Sequence, residues 1–240
     1  MINDIRYRVK KIEQAAALVS LQLVLVFIGF VVSLSVLIMV IREIFYDKDF
    51  TFDENVFQYL SQHVTDTNTA IMQAASFLGS QLFLVPAWLL LLVVFYFIER
   101  NKWYLIKLLT ISLSTLLLML GLKFFFNRPR PLIPLLKQVP GLSFPSGHAF
   151  MSFVFYGMLI YIIYLEVKNA WLKGFIFFIL GIIIFTIGLS RVYLRVHYAS
   201  DVIAGFCFGL LSLIILLSML RLIEKYNNKV IHPALNTTKT

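Results

Sequence analysis

Six stretches of about 20 mostly apolar residues, joined by short connections, constrain this chain more than any other feature. They run Leu18–Ile41, Gln81–Ile98, Tyr104–Leu122, His148–Leu165, Trp171–Leu189 and Ala199–Leu222. A helix of about 20 apolar residues crosses a hydrocarbon core about 30 Å thick. The expected fold class is therefore all-α, a six-transmembrane-helix bundle, with residues 1–240 forming a single integral-membrane domain. Composition agrees. Of 240 residues 60% are hydrophobic and 14% charged, against about 45–50% and about 25% in soluble domains. No other part of the chain could supply a sizeable soluble core. The first span is longer than a signal-peptide core and lacks a small-residue cleavage site, so it is expected to be retained.

Lys and Arg in the short loops set the orientation. Arg6, Arg8, Lys10 and Lys11 precede the first span, Arg100 and Lys102 lie in the second connection, Lys168 and Lys173 in the fourth, and Arg221, Lys225 and Lys229 in the tail. All fall on one side, which places residues 1–17 and 223–240, and so both termini, in the cytoplasm. The first connection holds Asp47, Asp49, Asp53, Glu54 and Asp66 instead. Residues 43–80 form an outer interfacial segment in this reading. Val56, Phe57, Leu60, Val64, Ile71, Met72 and Phe77 are spaced there among polar residues, which suggests one or two short amphipathic helices ending at Gly79-Ser80 and roofing the bundle. His63 reads as a surface residue, and the lone Cys207 as a small buried hydrophobe without an intrachain disulfide. Asn236-Thr237-Thr238 matches a glycosylation sequon but falls in the expected cytoplasmic tail.

Two outer connections break the charge rule. KFFFNRPRPLIPLLKQVPG carries Lys123, Arg128, Arg130 and Lys137, and SRVYLRVHYAS carries Arg191 and Arg195. The net charge of +9 therefore matters less than its placement, and no basic stripe has the features of a nucleic-acid module. Alternating topology brings Lys123 and Arg130, the turn Pro145-Ser146-Gly147-His148, Ser190-Arg191, and His197 with Asp201 to one membrane face. Three strong cations there need an anion, Asp201 is the one nearby counter-charge, and the missing anion reads as a substrate. Arg suits phosphate through its bidentate fork and Lys through a point charge. Ser146 and Gly147, opening a helix, add backbone N–H donors where the dipole favours an anion. Gly147 also lets the backbone come close.

His197 and Asp201 are four residues apart, a spacing that puts both on one helical face. The carboxylate can hold one imidazole nitrogen protonated and leave the other free to attack phosphorus. His148, directly after the anion-binding turn, is placed to protonate the leaving oxygen and then to activate water. The expected chemistry is a two-step hydrolysis of a phosphomonoester or pyrophosphate through phosphohistidine, with the cations stabilising the transition state. Arg128 and Arg195 read as anion-attracting or headgroup-facing and stay outside the site.

Taken together, Lys123-x6-Arg130-Pro131, Pro145-Ser146-Gly147-His148 and Ser190-Arg191-x5-His197-x3-Asp201 resemble the three signature motifs of the type 2 phosphatidic acid phosphatase family, the integral-membrane lipid phosphate phosphatases. The resemblance covers the chain from the third span onward. It implies a six-helix membrane fold, an active site at the outer leaflet, a membrane lipid phosphate as substrate, and hydrolysis without a metal or other cofactor. By motif position it makes Lys123, Arg130, Ser146, Gly147 and Arg191 phosphate ligands, His197 the nucleophile, Asp201 its orienter and His148 the acid. Undecaprenyl pyrophosphate, phosphatidic acid and phosphatidylglycerol phosphate all suit such a site in a bacterial cytoplasmic membrane, the first ranked ahead on topology alone. Other readings stay open: a zinc hydrolase using His148, His197 and Asp201, a non-catalytic lipid-phosphate binder or transporter, and a lipid-to-lipid phosphotransferase. Oligomeric state is not legible.

Overall fold

The computed structural model describes residues 2–98, 102–136 and 139–227, with side-chain detail starting at residue 21. The side chains of Arg6, Arg8, Lys10 and Lys11, residues Arg100, Lys137 and Lys229, and the sequon Asn236-Thr237-Thr238 lie outside the described residues. The regular structure described is helical throughout. It comprises α1 (Ile2–Ile41), widening into a π-helical turn over Arg42–Asp47, then α2 (Thr51–Ser61), α3 (Asp66–Leu78), α4 (Gln81–Ile98), α5 (Lys102–Phe126), α6 (Gly147–Glu166), α7 (Ala170–Tyr193) and α8 (Ala199–Tyr226). Among the described residues six segments are long and apolar enough to cross a membrane, the second of them joining α3 to α4 across Gly79 and Ser80.

The helices outrun the apolar windows at the ends that matter. α5 continues past Lys123 to Phe126, and α7 includes Ser190 and Arg191. Polar residues do not end a helix when neighbours supply partners; backbone geometry does. After α5, Asn127 turns left-handed at φ 45°, and Pro129 two residues on cannot continue the helix.

α6 is the central helix. Its buried Phe150, Val154 and Met158 meet Leu108, Ile111 and Met119 of α5, Ile187 of α7 and Leu213 of α8. α1 packs on α8 through Leu37 and Val40 against Ala204, Cys207 and Leu211, and Ser33 Oγ donates to the Cys207 carbonyl at 3.2 Å. Cys207 is buried and free, as expected. At the end where α5 begins and α8 finishes, Lys107 Nζ pairs with Glu224 Oε2 at 2.6 Å. The amphipathic pair closes the other end. Val56, Phe57 and Leu60 of α2 pack on Ala149, Val192, Ala199 and Val202, and Met72 of α3 packs with Tyr193, Leu194 and Val196.

Lipid tails are as apolar as leucine, so helices in a bilayer associate through close packing over small residues rather than through hydrophobic expulsion. α8 carries Gly205 and Gly209 four residues apart on the face toward α6. A Cβ at Gly205 would stand 2.9 Å from the Ser146 carbonyl oxygen and 3.0 Å from Ala149 Cβ, and one at Gly209 would stand 3.0 Å from Phe153 Cβ. Gly205 thus sets how closely the start of α8 approaches the turn that opens α6. Gly205→Ala should cost about 1–3 kcal/mol of stability, the usual range for overpacking, and should lower activity with it. Gly174→Ala and Gly181→Ala, where nothing lies within 4 Å, should leave the unfolding midpoint in detergent unchanged or slightly higher.

Candidate active site

The last turns of α5 and α7, the first turns of α6 and α8, and the connections that follow α5 and α7 bring the expected residues to one end of the bundle. α7 ends in a reversal. Arg195 takes the left-handed slot at φ 52°, Arg195 N donates to Val192 O at 2.9 Å and Val196 N to Arg191 O at 3.1 Å. This paired closure usually employs glycine. It folds the chain back on itself, so that His197 N reaches the same Arg191 carbonyl at 3.3 Å. His197 is only 1% exposed.

α8 starts at Ala199, so His197 and Asp201 do not share a helical face as their spacing predicts. They meet because Asp201, in the first turn of α8, reaches back to the residues before it, accepting from Tyr198 N at 2.9 Å. Its other oxygen accepts from Arg128 Nη1 at 2.6 Å. Ser143 Oγ donates to Asp201 Oδ2, while His197 Nδ1 lies 3.3 Å from that hydroxyl and 3.6 Å from Oδ2. A hydroxyl that gives its proton to the carboxylate has lone pairs left for an N–H. The network therefore puts the imidazole proton on Nδ1 and leaves Nε2 as the free lone pair. Burial holds the His197 imidazole down at about 4, against the upward pull of the Asp201 hydrogen bond and charge. At neutral pH the ring is uncharged.

The three cations are held differently. Lys123 Nζ donates to Leu142 O at 2.7 Å. Arg130 donates through Nε to Gly141 O at 3.2 Å and through Nη1 to Val196 O at 3.0 Å, and burial lowers its pKa. Arg191 Nη1 donates to Ser76 Oγ of α3, and its Nε is buried with no hydrogen-bond partner among the described residues. Lys123, Arg130 and Arg191 lie within electrostatic reach of one another and of His148, and Arg130 and Arg191 also of His197. Among the described residues none of the three is ion-paired with a carboxylate.

The turn before α6 contains a cis Phe144–Pro145 peptide. Ser146 caps the helix, its side chain accepting from Ala149 N at 3.5 Å. Its own N–H is not open to an anion, because it donates to Asp201 O at 3.0 Å. Among the described residues no acceptor takes the N–H of Gly147 or His148 or the Ser146 hydroxyl proton. Gly147 has a reason to lack a side chain: a Cβ would stand 3.0 Å from Met119 Sδ and 3.7 Å from Lys123 Cε. His148 is half-buried among the cations.

All eight expected residues thus converge, and the structure adds others. Arg128 does not face headgroups; it is 5% exposed and bridges Asp201 to Asp53 Oδ2 at 2.9 Å. Asp53 also accepts from Ser200 N at 2.9 Å and Ser200 Oγ at 2.6 Å. Asp201 is ion-paired with Arg128 and acts on Lys123 and Arg130 only through its field, without a direct contact. One signal for Asp53 was present: a charged residue at the head of the apolar stripe Val56, Phe57 and Leu60. Ser143 and Ser76 carried none. Among the described residues no three His, Cys, Asp or Glu side chains are arranged to hold a metal ion, and both oxygens of Asp201 are already taken by donors. Arg195 is partly buried and lines a cavity of about 390 Å³ with Arg130 and Val196. His63 is exposed, with Nδ1 3.0 Å from Tyr59 O.

Comparison with known proteins gives a concordant picture. The PAP2 superfamily profile matches residues 103–224, a stretch that contains every residue from Lys123 to Asp201. Phosphatidylglycerophosphatase B of Bacillus subtilis (strain 168) is 30% identical over 163 residues, 66% of this chain and 78% of that protein. A putative phosphatidate phosphatase of Drosophila melanogaster is 34% identical over 94 residues, 37% of this chain and 24% of that one. The crystal structure of a transmembrane PAP2 type phosphatidylglycerolphosphate phosphatase from Bacillus subtilis matches with a TM-score of 0.72 at 26% identity, covering 80% of this chain and 95% of that one. Aquifex aeolicus LpxE matches with a TM-score of 0.57 at 28% identity, covering 71% and 97%. Motifs, fold and likenesses converge on one conclusion: the chain belongs to the PAP2 superfamily, the type 2 phosphatidic acid phosphatases.

Proposed function

We propose that this protein is a metal-independent lipid phosphatase that hydrolyses a phosphomonoester or pyrophosphate of a membrane lipid through a phosphohistidine on His197. The observation that carries the reading is the set of three cations, Lys123, Arg130 and Arg191, held by carbonyls and a hydroxyl rather than by carboxylates, beside a neutral buried histidine. Cations desolvated without a counter-ion favour a dianionic phosphate.

In the first step His197 Nε2 forms a bond to phosphorus as the bond to the leaving oxygen breaks, and His148, holding a proton, gives it to that oxygen. The phosphate brings the negative charge that lets an imidazolium stand among three cations. Asp201 and Ser143 take up the charge that appears on the His197 ring. The Gly147 and His148 N–H groups and the three cations stabilise the equatorial oxygens. In the second step His148 accepts a proton from water, whose oxygen attacks phosphorus, and the P–N bond breaks to free His197 and release inorganic phosphate.

Residues 1–240 act as one domain in this reading. The loop lysines and arginines favour both termini in the cytoplasm and the site at the outer face of a bacterial cytoplasmic membrane. Topology alone favours undecaprenyl pyrophosphate. The likeness to the Bacillus phosphatidylglycerolphosphate phosphatase instead supports phosphatidylglycerol phosphate as the first substrate to test.

Purified protein should release phosphate from at least one of phosphatidylglycerol phosphate, phosphatidic acid and undecaprenyl pyrophosphate in excess EDTA; activity lost to chelator and restored by zinc would favour the zinc reading. Binding without release would favour a transporter. His197→Ala should abolish turnover. His148→Ala should lower kcat by about 10²- to 10⁴-fold, the usual contribution of general acid–base catalysis, and should accumulate acid-labile phosphoprotein. Because His197 titrates at about 4, it is deprotonated from pH 5 upward. Once the substrate's own phosphate titration is divided out, kcat/KM should show no limb from this ring between pH 5 and pH 8.

A further inference from the structure

We infer that Arg128 and Asp53, which lie outside the three motifs, are positioning residues that hold the Asp201 carboxylate, and through it His197, in its reactive geometry. The inference rests on the reading of His197 as nucleophile.

The network is complete on the carboxylate side. Arg128 Nη1 donates to Asp201 Oδ1 at 2.6 Å and to Ser200 Oγ at 2.9 Å, while Nη2 donates to Asp53 Oδ2 at 2.9 Å. Ser200 in turn gives its hydroxyl to Asp53 Oδ2 and its N–H to Asp53 Oδ1. All four residues are buried. Tyr198, whose N–H Asp201 accepts, lies against the guanidinium, with its ring centroid 4.1 Å from Arg128 Cζ.

A carboxylate rotates freely about its last bond unless both oxygens are fixed. Arg128 fixes Oδ1 of Asp201, leaving Oδ2 for Ser143 and the imidazole. Arg128 is in turn aimed by Asp53, so a residue of α2 helps to set the ring on the far side of the chain. A lysine at position 128 keeps the charge but offers one compact ammonium in place of a planar fork spanning two carboxylates. Asn at position 53 keeps the shape and removes the charge that aims the guanidinium.

The test is steady-state and single-turnover kinetics of Asp53→Asn and Arg128→Lys on the lipid phosphate that the parent turns over best, with inhibition by inorganic phosphate and the unfolding midpoint measured alongside. The expected result is a fall in kcat and in the phosphorylation rate of about 10- to 100-fold, the range seen when partners that orient a histidine are altered. KM and the phosphate inhibition constant should hold, because Lys123, Arg130 and Arg191 are untouched. Unchanged kcat in both variants overturns the inference. So does a loss carried by KM and phosphate affinity, or one that tracks the fraction of protein still folded. If Asp53→Asn fails to fold, Arg128→Lys carries the same test. His197→Ala is run beside them: turnover at the parental rate sinks the nucleophile reading itself, whereas a dead His197→Ala with an unimpaired Asp53→Asn sinks only the present inference.

Discussion

Asp201 has no access to solvent, and a carboxylate so placed is costly unless every lone pair finds a donor. Satisfying it organises the whole end of the bundle. Its side chain takes Arg128 from the segment leaving α5, Ser143 from the segment entering α6 and the Tyr198 N–H from the turn after α7. Its backbone carbonyl takes the N–H of Ser146. Three stretches of chain, the one leaving α5, the one entering α6 and the one leading into α8, are registered on one residue. One turn further along α8, Gly205 lets α6 and α8 approach closely enough for the Ser146 bond to form.

The same pairing separates two populations of charge. Arg128, Asp53 and Asp201 form a closed group that satisfies itself. Lys123, Arg130 and Arg191 are left with carbonyl and hydroxyl partners, which orient a cation without neutralising it. Had Asp201 bonded to Arg130, the pocket would have been quenched by its own counter-ion. With Asp201 engaged elsewhere, the triad keeps a charge that no carboxylate contacts directly, the charge the proposed phosphate would meet in a region where low dielectric strengthens every such interaction. Arg128 thus holds the carboxylate, while the three cations keep their own carbonyl and hydroxyl partners.

Much of this was legible in the chain. The apolar windows gave six spans and an all-α fold, and alternation of those spans brought the eight motif residues to one end. Six of them stood out because an ionisable side chain is costly near lipid; Ser146 and Gly147 stood out only by opening a helix beside them. What resisted reading was whatever depends on who pairs with whom. Arg128 sits two residues from Arg130 and looks no different from it; its burial depends on Asp53, 75 positions away. The spacing of His197 and Asp201 suggested a shared helix, but α8 opens two residues after His197, and the contact runs through a first-turn carboxylate reaching back and through the Ser143 hydroxyl. Ser146 was credited with an open N–H that Asp201 consumes. Helix ends were drawn at polar residues, whereas left-handed turns at Asn127 and Arg195 end α5 and the reversal after α7. Gly205 and Gly209 were visible at a four-residue spacing, but nothing in the sequence said which helix they faced.

The two roof helices then take on a meaning that amphipathicity alone did not give them. α2 supplies Asp53 to the carboxylate group, and α3 supplies Ser76 to Arg191. Each charge population thus has one partner in the roof. Lifting α2 away would strip the guanidinium of one carboxylate and leave Asp53 without Arg128 or Ser200, which is unfavourable in any environment poorer in water than bulk solvent. Apolar contacts made by Val56, Phe57 and Leu60 alone could slide or reform elsewhere on the surface. A buried carboxylate accepting three hydrogen bonds from Ser200 and Arg128 cannot. The segment between the first two spans is therefore part of the frame around Asp201 and Arg191, anchored there by the buried Asp53 and by Ser76.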